Sequence, residues 1–558
     1  MHSCLPQVSF EDQEIQSIAS NNQQIEQKIG WFAAWWRATF VDLAKQMRWS
    51  YLPPLMVYFA AGVSGLTSVV GAFFLKEYLD LSASFVAGLA FWAGLPWILK
   101  MPLGHVVDLF WRWKALLILV GAALITCSLL IMYALVTVPG EMGAIMPLGN
   151  WYVIAVLLAP SGYAVQDVVA DAMTVEAVPQ VDENGQPFSQ EEARALHTTM
   201  QTLGRVAIIS GLASVAGVNI WIFSGSEEIS GDARLALYGS VYLTALIIPV
   251  ISVSGTLLHA VTLRKKSRQG HPEPQLESAT EVNWAILGGG LAFVLFSVLI
   301  GTAQFDYAQE VVFAVSLTII FYLIAQLTKE LPRAQASVLI GTATIIFVFR
   351  AVPLPGPGLT WFEIDELGFD EQFLAILAFI TSLLALLGLV VLRPLMVSRS
   401  IAHVVLLLTL AAGVLSLPNL ALYYGVHEWT AARTGGVVDA RFIAILDTAI
   451  ESPLGQVAMV PMLAWIARNA PAHLKATFFA VMASFTNMAL SASSLGTKYL
   501  NELFVVTRAA SDPETGEAIS TADYSQLGYL LITVGVLTVA LPLFTILIVQ
   551  HSRFRTGE

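Results

Sequence analysis

Charged residues are scarce in this chain, and their scarcity excludes an ordinary soluble protein. Only 12% of its 558 residues are Asp, Glu, Lys or Arg, whereas 56% are hydrophobic, and both values lie outside the usual range of soluble domains. Apolar runs of about 18 to 25 residues recur between residues 51 and 550, each long enough to cross roughly 30 Å of hydrocarbon as a helix. Because these runs are continuous and do not alternate, they exclude a transmembrane barrel.

Residue types that carry enzyme or metal chemistry are also few. The two cysteines, Cys4 and Cys127, predict no disulfide framework, and the nine histidines lack the spacing of metal ligands. The sequence contains no Walker-type loop and no nucleophile, base and orienting residue at helical spacing. We therefore expect a protein that is not an enzyme and that uses no cofactor and no metal. The net charge of −12 argues against a nucleic-acid partner.

The apolar runs predict an all-α polytopic membrane protein with about fourteen spans. Six predicted spans lie at 51–75, 84–103, 114–137, 151–178, 198–223 and 238–262. Six more lie at 336–354, 373–392, 400–424, 437–467, 475–500 and 526–550. Two extra spans, 282–302 and 311–328, separate the two sets. The predicted domains are a tail (1–50), a six-helix half (51–262), a linker with the two extra helices (263–335), a second half (336–551) and a short tail (552–558). The stretch 31–49 suits an interfacial helix or a loose leader.

Basic residues predict the orientation, because short cytoplasmic loops collect Lys and Arg. Basic residues follow the second span and the sixth, for example at Arg112 and Arg264, and they recur in alternate loops along the chain. The loop PGEMGAIMPLGN, which begins at Pro139 and belongs to the other set of loops, contains no Lys or Arg. Both termini should therefore be cytoplasmic, although Arg433 and Arg508 fall on the opposite side. Residues 1–30 contain no apolar signal-peptide core. We expect a lipid-embedded monomer in a bacterial plasma membrane, with a plastid envelope as the alternative.

Two segments of the chain repeat one pattern. The stretch from Phe73, FFLKEYLDLSASFVAGLAF, aligns with the stretch from Thr360, TWFEIDELGFDEQFLAILAF, at an offset of about 288 residues. Each reads as a helix, a short acidic turn and a second helix. Duplicated six-helix halves are how many secondary transporters are built, with the substrate bound between the halves.

Four stretches resemble the folate-biopterin transporter family of the major facilitator superfamily. They are FFLKEYLDLSASFVAGLAFWAGLPWILK from Phe73, DVVADAMTVE from Asp167, DELGFDEQFLAILAFITSLLALLGLVV from Asp365 and APAHLKATFFAVMASFTNMALSASSLG from Ala470. The resemblance implies a major facilitator fold and transport of pteridine-like or other organic anions coupled to protons. Where the family has Lys followed directly by Pro, this chain has Lys100, Met101 and Pro102. Muropeptide permeases share a similar early pattern and are the nearest competing family.

A short motif between the second and third spans is typical of a gate. GHVVDLFWRWK contains Gly104, Asp108, Arg112 and Lys114 and resembles the superfamily signature at this loop. A Gly permits close helix approach, while a carboxylate near basic residues can form a breakable latch. An ordinary basic cytoplasmic loop would explain Arg112 and Lys114 but not Asp108.

Three carboxylates end the fourth span. Asp167 and Asp171 are four residues apart and share one helix face, whereas Glu176 points elsewhere and reaches water. An ionisable group at the depth of Asp167 usually faces a cavity or a partner. Arg205 in the fifth span lies at a compatible depth, so we predict that Asp167 pairs with Arg205.

The second half contains its own charged set. Arg350 lies near the midplane before VPLPGPG, whose prolines must interrupt the helix, and a broken helix beside an Arg offers positive charge and free backbone groups to an anion. Asp447 and Glu451 lie four residues apart in the tenth span. The alternative is a structural bridge from Arg350 to Glu451 without a role in transport. Gln201, Gln456 and Asn487 either line the cavity or join helices.

These observations together predict a secondary active transporter of a small organic anion, of folate or pterin type, that works by alternating access and proton symport. The candidate binding residues are Asp167, Asp171, Arg205, Arg350, Asp447 and Glu451. We expect Glu451 to carry the proton, with Asp447 and Asp167 as alternatives. The competing functions are a permease for muropeptides or other solutes, and a transport-inactive membrane assembly factor of the same fold.

Overall fold

The structure is a computed structural model, and it describes residues 47–556 apart from positions 80, 111–112, 179–185, 187, 189, 227–230, 269–283, 303–304, 330, 392–400, 452–474 and 512–517. Over these residues the chain is almost wholly helical, because a helix satisfies its own backbone hydrogen bonds in hydrocarbon. A small antiparallel hairpin pairs β1 (Ala510–Ser511) with β2 (Ala518–Ser520).

The helices follow one another in two sets with a pair between them. The N-terminal half comprises α1 (Leu52–Val63), α2 (Ser68–Tyr78), α3 (Ala83–Ile98), α4 (Lys100–Leu109), α5 (Lys114–Thr137), α6 (Pro139–Ile145), α7 (Leu148–Ala177), α8 (Gln190–Ile222), α9 (Asp232–Ala245) and α10 (Ile247–Arg268). The pair comprises α11 (Trp284–Thr302) and α12 (Ala308–Lys329). The C-terminal half comprises α13 (Arg333–Arg350), α14 (Pro357–Asp365), α15 (Glu371–Val391), α16 (Ile401–Leu415), α17 (Leu417–Tyr423), α18 (Val426–Thr434), α19 (Ala440–Glu451), α20 (Lys475–Leu503) and α21 (Leu527–Gln550). The predicted all-α polytopic architecture is confirmed.

Most of the predicted spans coincide with apolar helices. In the described part of the chain, 10 helical segments are long and apolar enough to cross a membrane, and Ala83–Ile98 and Leu287–Gly301 are shorter apolar helices. The predicted span 437–467 begins in α19 and continues into residues outside the described ranges. The count of about fourteen spans and the domain boundaries therefore stay predictions.

The first helix of each half is broken at an equivalent place. A 3-10 turn, Ser64–Thr67, separates α1 from α2, and residues 351–356 separate α13 from α14. The helices that follow, α3 and α15, begin at Ala83 and Glu371, 288 residues apart. The helical elements thus recur at the offset at which the sequence repeats.

The break between α3 and α4 leaves backbone carbonyl groups without helical donors. Pro102 has no N–H and cannot donate to the carbonyl of Ile98 four residues earlier. Ser484 of α20 donates to that carbonyl at 3.1 Å, and Asn487 of α20 donates to the carbonyl of Trp97 at 3.2 Å. Of the two roles considered for Asn487, the structure gives it the contact between helices.

The break between α13 and α14 is bound by the same helix. Ser493 of α20 donates to the carbonyl of Val352 at 2.7 Å. Thr497 accepts a hydrogen bond from the N–H of Leu354 at 2.9 Å. Polar side chains along α20 therefore bond the backbone of a broken helix in each half, Ser484 and Asn487 in the N-terminal half and Ser493 and Thr497 in the C-terminal half.

The two helices between the halves dock on both of them. In α11, a side chain at Gly290 would lie 2.6 Å from Pro102 of the N-terminal half. In α12, Glu310 accepts from Lys498 of the C-terminal half at 3.2 Å, while the neighbouring Gln309 donates to the carbonyl of Gly88 at 3.0 Å. The pair therefore covers the contact between α3 and α20, where the two halves meet.

Glycines set the closest helix contacts in the N-terminal half. A Cβ at Gly62 of α1 would lie 2.0 Å from the carbonyl oxygen of Ile208, and a Cβ at Gly211 of α8 would lie 2.5 Å from the carbonyl oxygen of Phe59. Such distances leave no room for any side chain, as is typical of small-residue contacts between membrane helices. These glycines hold α8 against α1.

We predict that Gly62→Ala destabilises the protein, because its Cβ would meet backbone atoms that cannot rotate away. Overpacking of this kind costs about 1–3 kcal/mol, so the apparent melting temperature in detergent should fall by several degrees. Gly104→Ala is the matched control, because no atom of the described residues lies within 4 Å of its Cβ position, and an Ala inside a helix is favoured by about 1 kcal/mol over Gly. A melting temperature of Gly62→Ala equal to that of the wild type would contradict the close contact.

Candidate functional site

A lysine and two aspartates form a charged cluster inside the N-terminal half. Lys100, the first residue of α4, makes an ion pair with Asp167 of α7 and lies 3.4 Å from a carboxylate oxygen of Asp171. The two aspartates are four residues apart in one helix, so both face the same neighbour. The break between α3 and α4 places the ammonium group between them.

A buried tyrosine completes this cluster. The hydroxyl of Tyr58 in α1 donates to Asp171, and the ring is positioned by α8, since a Cβ at Gly204 would lie 2.9 Å from it. The cluster therefore joins α1, α4 and α7, with α8 behind the tyrosine. It contains two carboxylates and one ammonium group, and all of its members belong to the N-terminal half.

The predicted ion pair between Asp167 and Arg205 is wrong. Asp167 pairs with Lys100 instead, and Arg205, whose side chain is exposed, acts on Asp167 only as a more distant charge. Counting residues along the predicted helices placed Arg205 at about the level of Asp167. It could not show which side of α8 carries Arg205. The sequence offered a sign of the true partner, since Lys100 lies inside an apolar run. A lysine at such a position needs a carboxylate at the same depth in the membrane.

Arg350 of the C-terminal half has a buried nitrogen atom without a partner. It ends α13 directly before the broken segment, and its Nη1 atom is buried without a hydrogen-bond partner among the described residues. The position before the break that the sequence predicted for Arg350 is therefore the one that it has in the structure.

Two carboxylates lie near each other in the C-terminal half. Asp447 of α19 is buried, and Glu363 of α14 lies within its electrostatic reach. Glu363 was not predicted, because its approach to Asp447 depends on how α14 resumes after the break. The side chain of Glu451 lies outside the described part of the chain, so its predicted bridge to Arg350 stays a prediction.

One end of the bundle is closed by contacts between the halves, and we call it the sealed end. It contains residues 79, 81–82, 366–370, 504–511 and 518–526. Buried Lys76 of α2 makes an ion pair with Asp365 of α14, and the hydroxyl of Tyr524 donates to the same carboxylate. Burial raises the pKa of Tyr524 well above its ordinary value, so the phenol keeps its proton and remains a donor.

Arg508 extends this closure. Its side chain is buried and donates to the carbonyls of Lys76, at 2.8 Å, and Leu81, at 2.5 Å. The guanidinium carbon lies 4.6 Å from the ring centre of Trp361, a cation–π contact. Arg508 departs from the pattern of basic loops because it is buried in a contact between the halves.

A second ionic contact closes the same end. Arg234 of α9 lies 3.7 Å from Glu77 and 3.6 Å from Glu371, and Tyr238 donates to Glu371 at 2.5 Å. Glu371 is the first residue of α15 in the C-terminal half, whereas the other three belong to the N-terminal half. Two separate ionic networks therefore hold the halves together at the sealed end.

The predicted gating motif lies only partly within the described residues. The side chain of Asp108 and the whole of Arg112 fall outside them, and Lys114 is buried. Among the described residues nothing lies within 4 Å of a Cβ at Gly104, so the close helix approach predicted there stays a prediction. Among the described residues no group of three or more His, Cys, Asp or Glu side chains could hold a metal ion.

Sequence comparison identifies relatives of the chain. Residues 238–555 match the model of the BT1 family. The folate-biopterin transporter of Synechocystis sp. is 23% identical over 453 residues, which cover 80% of this chain and 74% of the relative.

Solved structures show the same fold at low sequence identity. A transporter of the POT family, crystallised with a thioalcohol-conjugated peptide, has a TM-score of 0.57 at 13% identity, with 89% of this chain and 95% of that chain covered. The nucleoside transporter NupG has a TM-score of 0.53 at 12% identity, with 89% and 98% covered. The predicted major facilitator fold is confirmed, and these relatives are transporters and not enzymes.

We predict that Lys100 and Asp167 are energetically coupled, whereas Arg205 and Asp167 are not. Lys100→Met leaves two carboxylates without their cation, which costs about 3–5 kcal/mol for a buried pair, and adding Asp167→Asn should recover part of that loss. A double-mutant cycle on the free energy of unfolding in detergent should give at least about 1 kcal/mol of coupling for Lys100 with Asp167 and less than about 0.5 kcal/mol for Arg205 with Asp167. The reverse order would support the pairing predicted from the sequence.

Proposed function

The chain belongs to the BT1 family, and from this membership and its internal charges we propose that it is a secondary active transporter of a small organic anion, of folate or pterin type, coupled to protons. The observation that carries the proposal is a fold of two helical halves whose one end is sealed by ion pairs between the halves, with charged groups such as the cluster of Lys100, Asp167 and Asp171 held inside apolar helices. The name of the Synechocystis relative supports the substrate class.

The distribution of the ionic contacts supports alternating access. The ion pair of Lys76 with Asp365 joins the two halves at the sealed end, whereas the cluster of Lys100, Asp167 and Asp171 lies wholly in one half. Rocking of one half against the other would break the first and leave the second intact. We propose that the present state is open towards the end opposite the seal.

Orientation and surroundings complete the proposal. We place the sealed end outside and both termini in the cytoplasm of a bacterium, in the plasma membrane, with a plastid envelope as the alternative. The working unit is a monomer surrounded by lipid. A transport-inactive assembly factor is disfavoured, because interior charges cost a few kcal/mol each on insertion and a scaffold has no use for them.

We propose that the proton is carried in the C-terminal half, by Asp447 in preference to Glu451. Asp447 is buried with Glu363 as a near neighbour, and two carboxylates close together in a poorly solvated site cannot both be ionised without a large cost. One shared proton removes that cost. Asp167 is less suited to this role, because Lys100 already compensates its charge.

We predict that weakening the seal shifts the protein towards a state open at the sealed end. Lys76→Met and Asp365→Asn each remove the same ion pair between the halves. Each loss of about 1.4 kcal/mol in the stability of the sealed state changes the ratio of the two states tenfold. Spin labels at the exposed residues Ala144 and Ala432, with Cys4 and Cys127 replaced by Ser, should report a longer distance in both variants.

The matched control is Arg441→Gln. Arg441 pairs with Asp370 at 2.6 Å, also at the sealed end, but both residues belong to the C-terminal half. Its loss should leave the distance distribution unchanged. Distributions equal to that of the wild type in both seal variants would show that the ion pair of Lys76 and Asp365 does not hold the halves together.

We predict that the purified protein in liposomes accumulates labelled folate or biopterin when the lumen is alkaline relative to the medium. Asp447→Asn should abolish accumulation but leave substrate exchange within about threefold, because a neutral side chain mimics the protonated state and cannot release a proton. Glu451→Gln and Asp167→Asn test the alternatives in the same assay. Accumulation undiminished in Asp447→Asn would remove Asp447 from coupling, and labelled muropeptides taken up instead would overturn the substrate class.

A further inference from the structure

A cavity at the sealed end is lined mainly by aromatic side chains. It has a volume of about 610 Å³ and opens widely to solvent, and this volume lies within the range of small-molecule sites. Its walls come from three segments of the C-terminal half: α14 with the residues after it, the end of α17 with the turn after it, and the segment before α21. Its principal side chains are those of Phe362, Glu366, Tyr423, Tyr424, Asp523 and Tyr524.

The four rings of the cavity contact one another at defined angles. The ring centre of Phe362 lies 5.6 Å from that of Tyr423 and 5.6 Å from that of Tyr524. Tyr423 lies 5.0 Å from Tyr424, with an angle of 82° between the two ring planes. Edge and tilted contacts of this kind turn the faces of the rings in different directions. A ligand can therefore meet ring faces on more than one side, which a flat stack of rings would not allow.

Hydrogen bonds hold two of these rings in place without a ligand. The hydroxyl of Tyr423 donates to the carbonyls of Tyr524, at 3.1 Å, and Ser525, at 3.2 Å. The hydroxyl of Tyr524 donates to Asp365, the carboxylate that pairs with Lys76 in the seal. Because these side chains are already ordered, a ligand loses little affinity to ordering them.

Two carboxylates give the cavity a negative charge. Glu366 and Asp523 are both exposed and lie on two different segments of the wall. A hydrogen bond from the backbone N–H of Ser525, at 2.9 Å, holds the pKa of Asp523 below its ordinary value. The described residues that line the cavity include no Lys, Arg or His. The cavity is therefore aromatic and acidic at once.

This combination selects one class of ligand. The face of an aromatic ring carries a negative quadrupole that attracts cations, and cages of such rings recognise alkylammonium groups. A carboxylate adds attraction to the same positive charge. An anion is repelled by both, and a neutral apolar molecule gains contact with the rings but nothing from the carboxylates.

We propose that this cavity is a binding site for an organic ammonium ion, with the cationic group against the rings of Phe362, Tyr423, Tyr424 and Tyr524 and within the field of Glu366 and Asp523. The inference goes beyond the proposed transport function, because it concerns a cation and not the transported anion. A free amine and the headgroup of a membrane lipid share the chemistry that such a cavity recognises.

The first experiment compares choline with 3,3-dimethylbutanol, which has the same shape but no charge. The purified protein is placed in nanodiscs of phosphatidylglycerol, a lipid without an ammonium group, and binding is followed by saturation-transfer NMR on the methyl signals of each probe. Choline should bind at least about fivefold more tightly than the neutral probe. Potassium ions in about tenfold excess should not displace it, because rings favour a weakly hydrated alkylammonium group. Equal affinity for the two probes, or displacement by potassium, would overturn the proposal.

Variants assign the preference to the carboxylates. Glu366→Gln and Asp523→Asn should each reduce the affinity for choline about threefold and leave the affinity for 3,3-dimethylbutanol unchanged. Glu141→Gln is the matched control, because Glu141 is an exposed carboxylate of α6 in the N-terminal half, and its loss should change neither affinity. A ratio between the two probes that stays at the wild-type value when Glu366 and Asp523 are both replaced would refute the site.

A second pair of variants tests the rings. Tyr424 is 61% exposed, so its replacement should leave the fold and the apparent melting temperature unchanged. Tyr424→Leu should reduce the affinity for choline about threefold, because it removes an aromatic face. Tyr424→Phe keeps that face, and its affinity should stay within about twofold of the wild type. An equal loss in both variants would show that the ring does not bind the cation and would overturn the proposed site.

The source of the ammonium group is read from the lipid composition of the nanodiscs. Phosphatidylethanolamine added to the nanodiscs should lower the apparent affinity for choline if a lipid headgroup occupies the cavity, whereas an unchanged affinity identifies a free amine as the ligand. Either result supports the cavity as a site for an ammonium ion. Binding of choline in a protein that takes up no folate would refute transport and leave this site intact, and uptake without choline binding would do the reverse.

Discussion

The rest of this structure depends on one constraint, which is that no backbone N–H or C=O group can remain unbonded in hydrocarbon. Two of the breaks in its helices are bonded by one neighbouring helix, that between α3 and α4 in one half and that between α13 and α14 in the other. The hydroxyl and amide side chains of α20 bond backbone groups at both breaks. These bonds offset part of the cost of interrupting a helix in hydrocarbon.

Both breaks lie directly beside a cation. Lys100 follows the first break and Arg350 precedes the second. A continuous helix would turn each of these side chains by a fixed angle relative to the helix before it, and the break allows a different direction. Ser, Thr and Asn side chains of α20 thus bond the backbone next to a charge in each half.

The sequence predicted features that depend on local pattern, and it missed those that depend on helix rotation. Apolar runs located the helices, the repeat at 288 residues located the turns that precede α3 and α15, and the prolines after Arg350 located the interruption of α13. Depth along the membrane normal placed Asp167 and Arg205 at one level but could not decide which side each helix presents. The contacts of Lys76 with Asp365, and of Glu363 with Asp447, join residues from separate helices whose rotations no periodicity encodes. The sequence therefore showed that these charged residues lie inside the helices, but it could not show which residues they contact.

The sign of each charge contact determines what it can do when the halves move. At the sealed end the contacts between halves are attractive, through Lys76 with Asp365 and Arg234 with Glu371, so they favour closure without any ligand. The cluster around Lys100 is attractive but internal to one half, so it moves as a unit and does not oppose rocking. Opening of the sealed end must therefore break buried ion pairs between the halves, and a charged partner left behind in a poorly solvated site costs free energy. The closed form of that end is favoured until another interaction offsets this cost, whereas the cluster around Lys100 adds nothing to it.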